Sequence, residues 1–270
     1  MRQHPHKPLR LALIGWGAIG RRIAALVAGA SDIAIVAIGV RDAAKATDIP
    51  AGARLITAPQ DLAGLDLDLV VEAAGRESVA IWGEAALAHA PAFAVASTSA
   101  FCDTALLDRL VATAETNGSQ LLIPPGALAG IDGIAAAALL ALDEVVHRIV
   151  KPPPAWRGTA AESLVALDGL TQATTFFTGT AREAASRFPQ NANVAVITAL
   201  AGIGLDRTRV ELVADPRAGG NGHQLSIRGD FGKLDLAIEN RPLASNPKSS
   251  EMTALGLVRL IENRIRPLVR

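Results

Sequence analysis

The sequence predicts an α/β fold, with an N-terminal Rossmann-type, doubly wound parallel sheet and a second, α+β domain. Three observations carry this prediction. Apolar strands alternate with helical segments up to Pro124-Pro125, the pattern of a parallel sheet covered on both faces. A glycine-rich turn, Gly15-Trp16-Gly17-Ala18-Ile19-Gly20, links the first strand to the first helix. Beyond Gly126 strands follow one another with alternating character, which calls for an antiparallel or mixed sheet.

The elements follow in order. Leu9–Ile14 reads as a buried strand and Arg21–Val27 as the helix opened by the glycine turn. Ile33–Val40 and Asp68–Ala74 are further buried strands, the latter ending at Gly75. Ser78–Ala90 is helical, Ala92–Ser97 a strand, Thr104–Thr116 a helix, and Gln120–Ile123 a strand stopped by prolines. Ile131–Leu142 reads as an Ala/Leu-rich helix and Val145–Lys151 as a strand ended by Pro152-Pro153-Pro154. Thr159-Ala160-Ala161-Glu162 and Thr180-Ala181-Arg182-Glu183 both match the capping box that starts helices. Thr174–Phe177, Arg209–Ala214, Gln224–Arg228 and Lys233–Ile238 read as strands. Pro247–Asn263 reads as a final helix with proline in its first turn. The expected domains are residues 1–125 and 126–246, with the helix in 247–270 packing back on the first.

Strand, glycine turn and helix together form the G-x-G-x-x-G dinucleotide-binding fingerprint. Gly15 permits the tight turn, Gly17 lets a pyrophosphate approach the backbone, and Gly20 lets helix and strand pack closely. With Ala18 and Ile19 they place free N–H groups and the positive end of a helix dipole at one point. At the end of the second strand, Arg41 precedes Asp42. An acid there hydrogen-bonds a ribose 2′-OH, whereas arginine pairs with a 2′-phosphate. Both NAD and NADP are therefore expected cofactors.

Composition narrows the function classes. Hydrophobic residues make up 50% of the 270 and charged ones 19%, enough for a sizeable core. The formal net charge of +0 gives no general attraction to nucleic acid or anionic membrane. The single cysteine, Cys102, excludes an internal disulfide and a multi-cysteine metal site, fits a reduced cytoplasmic setting, and reads as a small buried packing residue. The apolar run Ala127–Leu142 is interrupted by Asp132 and falls short of the ~20 residues of a membrane span. The basic N-terminus precedes the glycine-rich strand with no cleavage pattern, and Met1–Pro8 reads as a loose tail.

Several short segments occur in a fixed order. Gly126-Ala127-Leu128-Ala129-Gly130-Ile131-Asp132 and Lys151-Pro152-Pro153 come first. Phe188-Pro189-Gln190-Asn191-Ala192-Asn193-Val194-Ala195 is followed by Leu200-Ala201-Gly202-Ile203-Gly204-Leu205-Asp206. Ala214-Asp215-Pro216, Asn221-Gly222-His223, Gly229-Asp230-Phe231-Gly232 and Asn246-Pro247-Lys248-Ser249-Ser250 complete the series. From Leu9 onward the chain resembles the L-aspartate dehydrogenase family. That resemblance implies a Rossmann domain joined to an α+β catalytic domain, assembled as a homodimer. It implies reversible NAD(P)-dependent oxidative deamination of L-aspartate to oxaloacetate and ammonia through iminoaspartate. Matched motif by motif, His223 is the implied catalytic histidine, and Ala127 and Asn193 are implied cofactor contacts.

The residues themselves fit this chemistry. Histidine exchanges a proton near neutral pH, as activation of a water on an imine requires. His223 lies between the glycine-rich stretch Gly219–Gly222, which reads as a loop able to move, and the following strand. His4, His6, His89 and His147 lie in bland contexts. Asn193 carries a donor and an acceptor near a helix start, where Asn191 suits the cap. Ala127 offers only backbone groups. Lys248 at the expected start of the last helix supplies an ammonium beside free N–H groups for a substrate carboxylate, with Lys151 the next candidate. Asp132 and Asp215 are candidates either for orienting His223 or for capping local turns. The competing readings are a homoserine- or dihydrodipicolinate-type oxidoreductase with the same two-domain plan, and a non-catalytic nucleotide-sensing protein.

Overall fold

The computed structural model describes residues 7–189 and 192–269, apart from the side chains of Pro247 and Lys248. The chain divides into two units. One ends at Pro124 and resumes at Ala254, and the other is Pro125–Thr253.

The first unit is built on six parallel strands, β1 (Leu9–Ile14), β2 (Ile33–Gly39), β3 (Arg54–Ile56), β4 (Leu69–Glu72), β5 (Ala92–Val95) and β6 (Gln120–Leu122). Their order is β3-β2-β1-β4-β5-β6, the doubly wound arrangement in which the chain's progression across the sheet reverses between β1 and β4. Helices α1 (Ala18–Val27), α2 (Arg76–His89) and α3 (Thr104–Asn117) connect them. β4 and β5 are buried throughout because both faces of a parallel sheet are covered. Leu257 and Ile261, from the final helix α7 (Glu251–Asn263), join Leu11, Leu13, Ile23 and Val71 in one apolar cluster.

The second unit carries a mixed sheet. Its strands are β7 (Leu142–Lys151), β8 (Thr174–Thr180), β9 (Arg209–Ala214), β10 (Asn221–Gly229) and β11 (Gly232–Asn240), ordered β11-β10-β7-β9-β8. Only the β7–β9 pair is parallel. Helices α4 (Ile131–Ala137), α5 (Ala181–Arg187) and α6 (Ala192–Ala201) belong to this unit, as does the short antiparallel pair β12 (Pro242–Leu243) and β13 (Asn246–Ser250). The buried indole of Trp156 donates to the Val213 carbonyl at 3.0 Å and meets Phe176 edge-on.

Several local expectations are corrected. The Ala/Leu-rich run is helical only to Ala137, and β7 begins at Leu142 because its pairing with β10 reaches back to Gly229. Tertiary pairing here overrides helix propensity. Thr159 caps a single 3₁₀ turn rather than an α-helix, whereas Thr180 and Glu183 form the full reciprocal box at the start of α5. The short strand β3 has no counterpart in the pattern reading. Cys102 is half-buried. Residues 1–6 of the expected tail and the expected cap Asn191 lie outside the described residues. Among the described residues no helix is long and apolar enough to cross a membrane.

Candidate functional site

In the first unit the glycine turn sits at the carboxyl end of β1. Gly15 has φ +107°, and a Cβ there would lie 2.7 Å from the Ala73 carbonyl oxygen. A Cβ on Gly20 would come within 2.2 Å of the Gly15 carbonyl oxygen. Gly17 differs, because a Cβ there would meet nothing within 4 Å. It is the N-cap of α1 and offers no side chain to bond the first N–H groups. This open, donor-rich point fits a pyrophosphate. The turn is held from outside. Trp16 Nε1 donates to the Thr47 carbonyl at 2.7 Å, and Arg21 pairs with Asp48 at 3.1 Å while lying over the Trp16 ring.

A cavity of about 630 Å³ extends from this turn along the strand ends, lined among others by Gly15, Gly17, Arg41, Asp42, Lys45 and Gly75. Arg41 is exposed at its edge. Asp42 is occupied locally, accepting from Ala44 N at 3.0 Å and pairing with Lys45 at 3.4 Å. The floor depends on Glu72, the fully buried last residue of β4. Its carboxylate accepts from Ala74 N at 2.7 Å, Gly75 N at 2.8 Å and the Ser78 hydroxyl at 2.7 Å.

In the second unit the β7–β10 register builds a polar cluster. His223 pairs with Ile149, and Leu225 with His147. Side chains two apart on a strand share a face, so His147, Ile149 and Lys151 line up there, with His223 diagonal to both polar residues. His147 Nε2 lies 3.1 Å from His223 Nδ1. Behind it, Thr198 of α6 places Oγ1 3.0 Å from His147 Nδ1.

This cluster is buried. His147 and Thr198 are 0% exposed and His223 4%. Burial, and after it the Lys151 charge, push His223 down to about 3. Burial and the neighbouring His223 hold His147 well below the ordinary histidine value. Both rings are neutral at pH 7. Burial lowers the Lys151 ammonium to about 8, so it is largely charged at neutral pH. Its Nζ lies 5.3 Å from the centre of the Trp156 ring, and no carboxylate among the described residues pairs with it. A proton acceptor on β10 and an unpaired cation on β7 thus share one face of the sheet.

Two family models match the chain. Aspartate dehydrogenase, C-terminal, covers residues 132–264, and homoserine dehydrogenase, NAD binding domain, covers residues 15–124. The L-aspartate dehydrogenase of Brucella anthropi is 59% identical over 261 residues, 96% of this chain and 97% of that protein. The chain belongs to the L-aspartate dehydrogenase family. The Cupriavidus necator member is 41% identical, with 95% of this chain and 97% of that one covered. The crystal structure of aspartate dehydrogenase from Thermotoga maritima aligns with TM-score 0.77 at 26% identity, covering 98% of this chain and all of that one. A hyperthermophilic archaeal homoserine dehydrogenase in complex with NADPH shares the fold, with TM-score 0.64 at 13% identity, 98% of this chain and 100% of that one covered.

The expected site residues of this family member divide into groups. Gly15, Gly17, Ala18, Ile19 and Gly20 lie in and after the β1–α1 turn, and Arg41 lines the same cavity. Asn221 and Gly222 belong to β10 rather than to the loop before it. His223 lies within β10, paired to β7 and β11. Its ring partner is His147, whose context in the sequence looked bland, while Asp215 accepts from Arg217 N at 2.9 Å. Ala127 is buried, with its carbonyl accepting from Asn240 Nδ2 at 2.8 Å. Asn193 is exposed in the first turn of α6.

Lys248 requires a correction. Residues Asn246–Ser250 form a strand, and α7 begins only at Glu251. Proline-led helix starts and hairpin strands are locally ambiguous, and pairing with β12 decided this one. The helix-terminus argument for Lys248 therefore lapses, and its side chain lies outside the described residues. Glu72 was missed altogether. The available signal was a single acid closing the apolar run Leu-Val-Val-Glu just before a glycine turn.

Proposed function

We propose that this chain catalyses the NAD(P)-dependent oxidative deamination of L-aspartate to oxaloacetate and ammonia through iminoaspartate, reversibly. Family membership over the whole length supports the reaction. The observation that carries the site assignment is the unpaired Lys151 ammonium on the same sheet face as the buried, neutral His223.

The residues around Gly17 fit a dinucleotide, with Gly15, Gly17, Ala18, Ile19 and Gly20 at the pyrophosphate and Arg41 toward the adenosine ribose. When bound, the nicotinamide supplies the acceptor for the hydride leaving the aspartate α-carbon. Lys151 takes a substrate carboxylate, a charge-assisted contact worth about 1.5–3 kcal/mol. That carboxylate offsets the cationic charge that helps hold His223 down, so substrate binding itself makes the ring more basic. His223 then accepts a proton from the water that adds to the imine carbon and returns it as ammonia leaves. Ala127 and Asn193 remain the cofactor contacts implied by family resemblance. A homodimer, implied in the same way, is tested by the mass of the protein in solution.

Incubating purified protein with L-aspartate and either NAD⁺ or NADP⁺ tests the reaction by reduced-cofactor absorbance. Aspartate-dependent reduction is expected, and folded protein that turns over only another substrate ends the proposal. His223→Ala should cut turnover by about 10²–10⁴, the usual worth of a positioned acid–base group. Near-normal turnover would assign the proton to another residue.

A further inference from the structure

We propose that Thr198 and His147 set the tautomer of His223, so that its ring carries the proton on Nδ1 and presents a bare Nε2. This inference rests on His223 as the proton-transfer group and adds two positioning residues behind it. Neither needs to touch the substrate.

The argument is a count of hydrogens. Thr198 Oγ1 lies 3.1 Å from the Val194 carbonyl oxygen, one helical turn back along α6, and 3.0 Å from His147 Nδ1. A carbonyl only accepts, so the single hydroxyl hydrogen goes to Val194. The hydroxyl oxygen then accepts from His147 Nδ1–H. A neutral imidazole has one N–H, so His147 Nε2 is bare and accepts from His223 Nδ1–H across 3.1 Å. His223 has then spent its one hydrogen, and its Nε2 keeps a lone pair.

The opposite order gives the Thr198 hydrogen to His147 and forfeits the bond to Val194. It makes two hydrogen bonds within the group where the first makes three. Water is in no position to make up the difference, because Thr198 and His147 are fully buried. Burial also keeps both rings neutral, which is the condition under which the count holds. A base is the form of His223 that deprotonation of water requires, and the helix–strand packing behind it supplies that form in advance.

Imidazole nitrogen and carbon NMR of the full chain, with labelled histidine, tests this directly. His223 is assigned by the signals lost in His223→Asn. The wild-type spectrum should show His223 protonated at Nδ1, and protonation at Nε2 overturns the proposal without recourse to any other variant. Thr198→Val keeps the shape and removes the hydroxyl, leaving His147 Nδ1–H without an acceptor. The pair should then reverse, His223 should become the Nε2–H form, and kcat should fall by roughly 10²–10⁴, as expected for a mis-set catalytic histidine. The nucleotide KM should hold, and Thr198→Ser should restore both tautomer and rate. An unchanged tautomer and rate in Thr198→Val would also overturn it. Normal turnover in His223→Ala would remove the acid–base reading instead, leaving the wild-type spectrum to decide the tautomer.

Discussion

Glu72 holds Ser97 by two hydrogen bonds, one from the Ser97 N–H at 3.0 Å and one from its hydroxyl at 2.9 Å. The same carboxylate accepts from Ala74 N and Gly75 N. One buried acid therefore ties the carboxyl end of β4 to that of β5 and fixes the loop lining the nucleotide cavity. Glu72→Gln presents an amide NH₂ where donors converge, leaving at least one buried group unpaired. It should cost about 1–3 kcal/mol of stability and raise the KM for NAD⁺ several-fold, with a smaller effect on aspartate. Denaturant titration and initial rates check both, and an unmoved nucleotide KM would mean that the loop is held without Glu72.

Arg41 should discriminate between the two cofactors. It lines the cavity at the end of β2, while the neighbouring Asp42 is committed to Ala44 N and Lys45. A guanidinium grips a 2′-phosphate, which only NADP carries. Arg41→Ala should weaken NADP by about tenfold or more and NAD much less, one decade being ~1.4 kcal/mol. Binding titrations with each nucleotide decide it, and equal losses would place Arg41 outside the phosphate subsite.

Lys151 should recognise the dicarboxylate. Lys151→Met is expected to raise the aspartate KM by at least about tenfold, from the loss of one charge-assisted contact, with the NAD⁺ KM nearly unchanged. Its lowered value of about 8 adds a pH signature. Above that value the ammonium loses its charge, so inhibition by succinate, an unreactive dicarboxylate, should weaken as pH rises through about 8. Lys151→Met should show weak inhibition with no such dependence. Succinate binding that ignores both pH and the substitution would exclude Lys151 from the subsite.

The buried histidine pair should make the fold sensitive to mild acid. Both values are depressed in the folded chain, that of His223 to about 3, whereas an unfolded histidine titrates near 6.5. Between these values the unfolded chain binds more protons, so stability rises with pH there and is lost as pH falls below ~6.5. Each ring contributes a slope of up to about 1.4 kcal/mol per pH unit. Urea midpoints at pH 7 and pH 5 measure this, and His147→Phe should reduce the difference. Equal midpoints in the native chain would show that water reaches the rings.

The sequence by itself determined what depends on near neighbours. The spacing of Gly15, Gly17 and Gly20 between a strand and a helix marks the β1–α1 turn, and the tight approach of Gly20 to the Gly15 carbonyl oxygen is local to it. The alternating segment Arg209–Ala214 became a strand with the bounds its pattern implies, and the Thr180–Glu183 box starts α5. The position of His223 in the chain was legible as well. Only tertiary structure decided what surrounds it. His147 and Thr198 lie 76 and 25 residues away in the chain, and the β7–β10 register with the seating of α6 brings them within hydrogen-bond reach. A shift of one residue in that register would turn His147 and Lys151 to the opposite face. Lys248 marks the same boundary from the other side. Pro247 satisfies the local rule for a helix start, yet pairing with β12 makes the segment a strand. Composition around a residue sets its preferences, and long-range pairing selects among them.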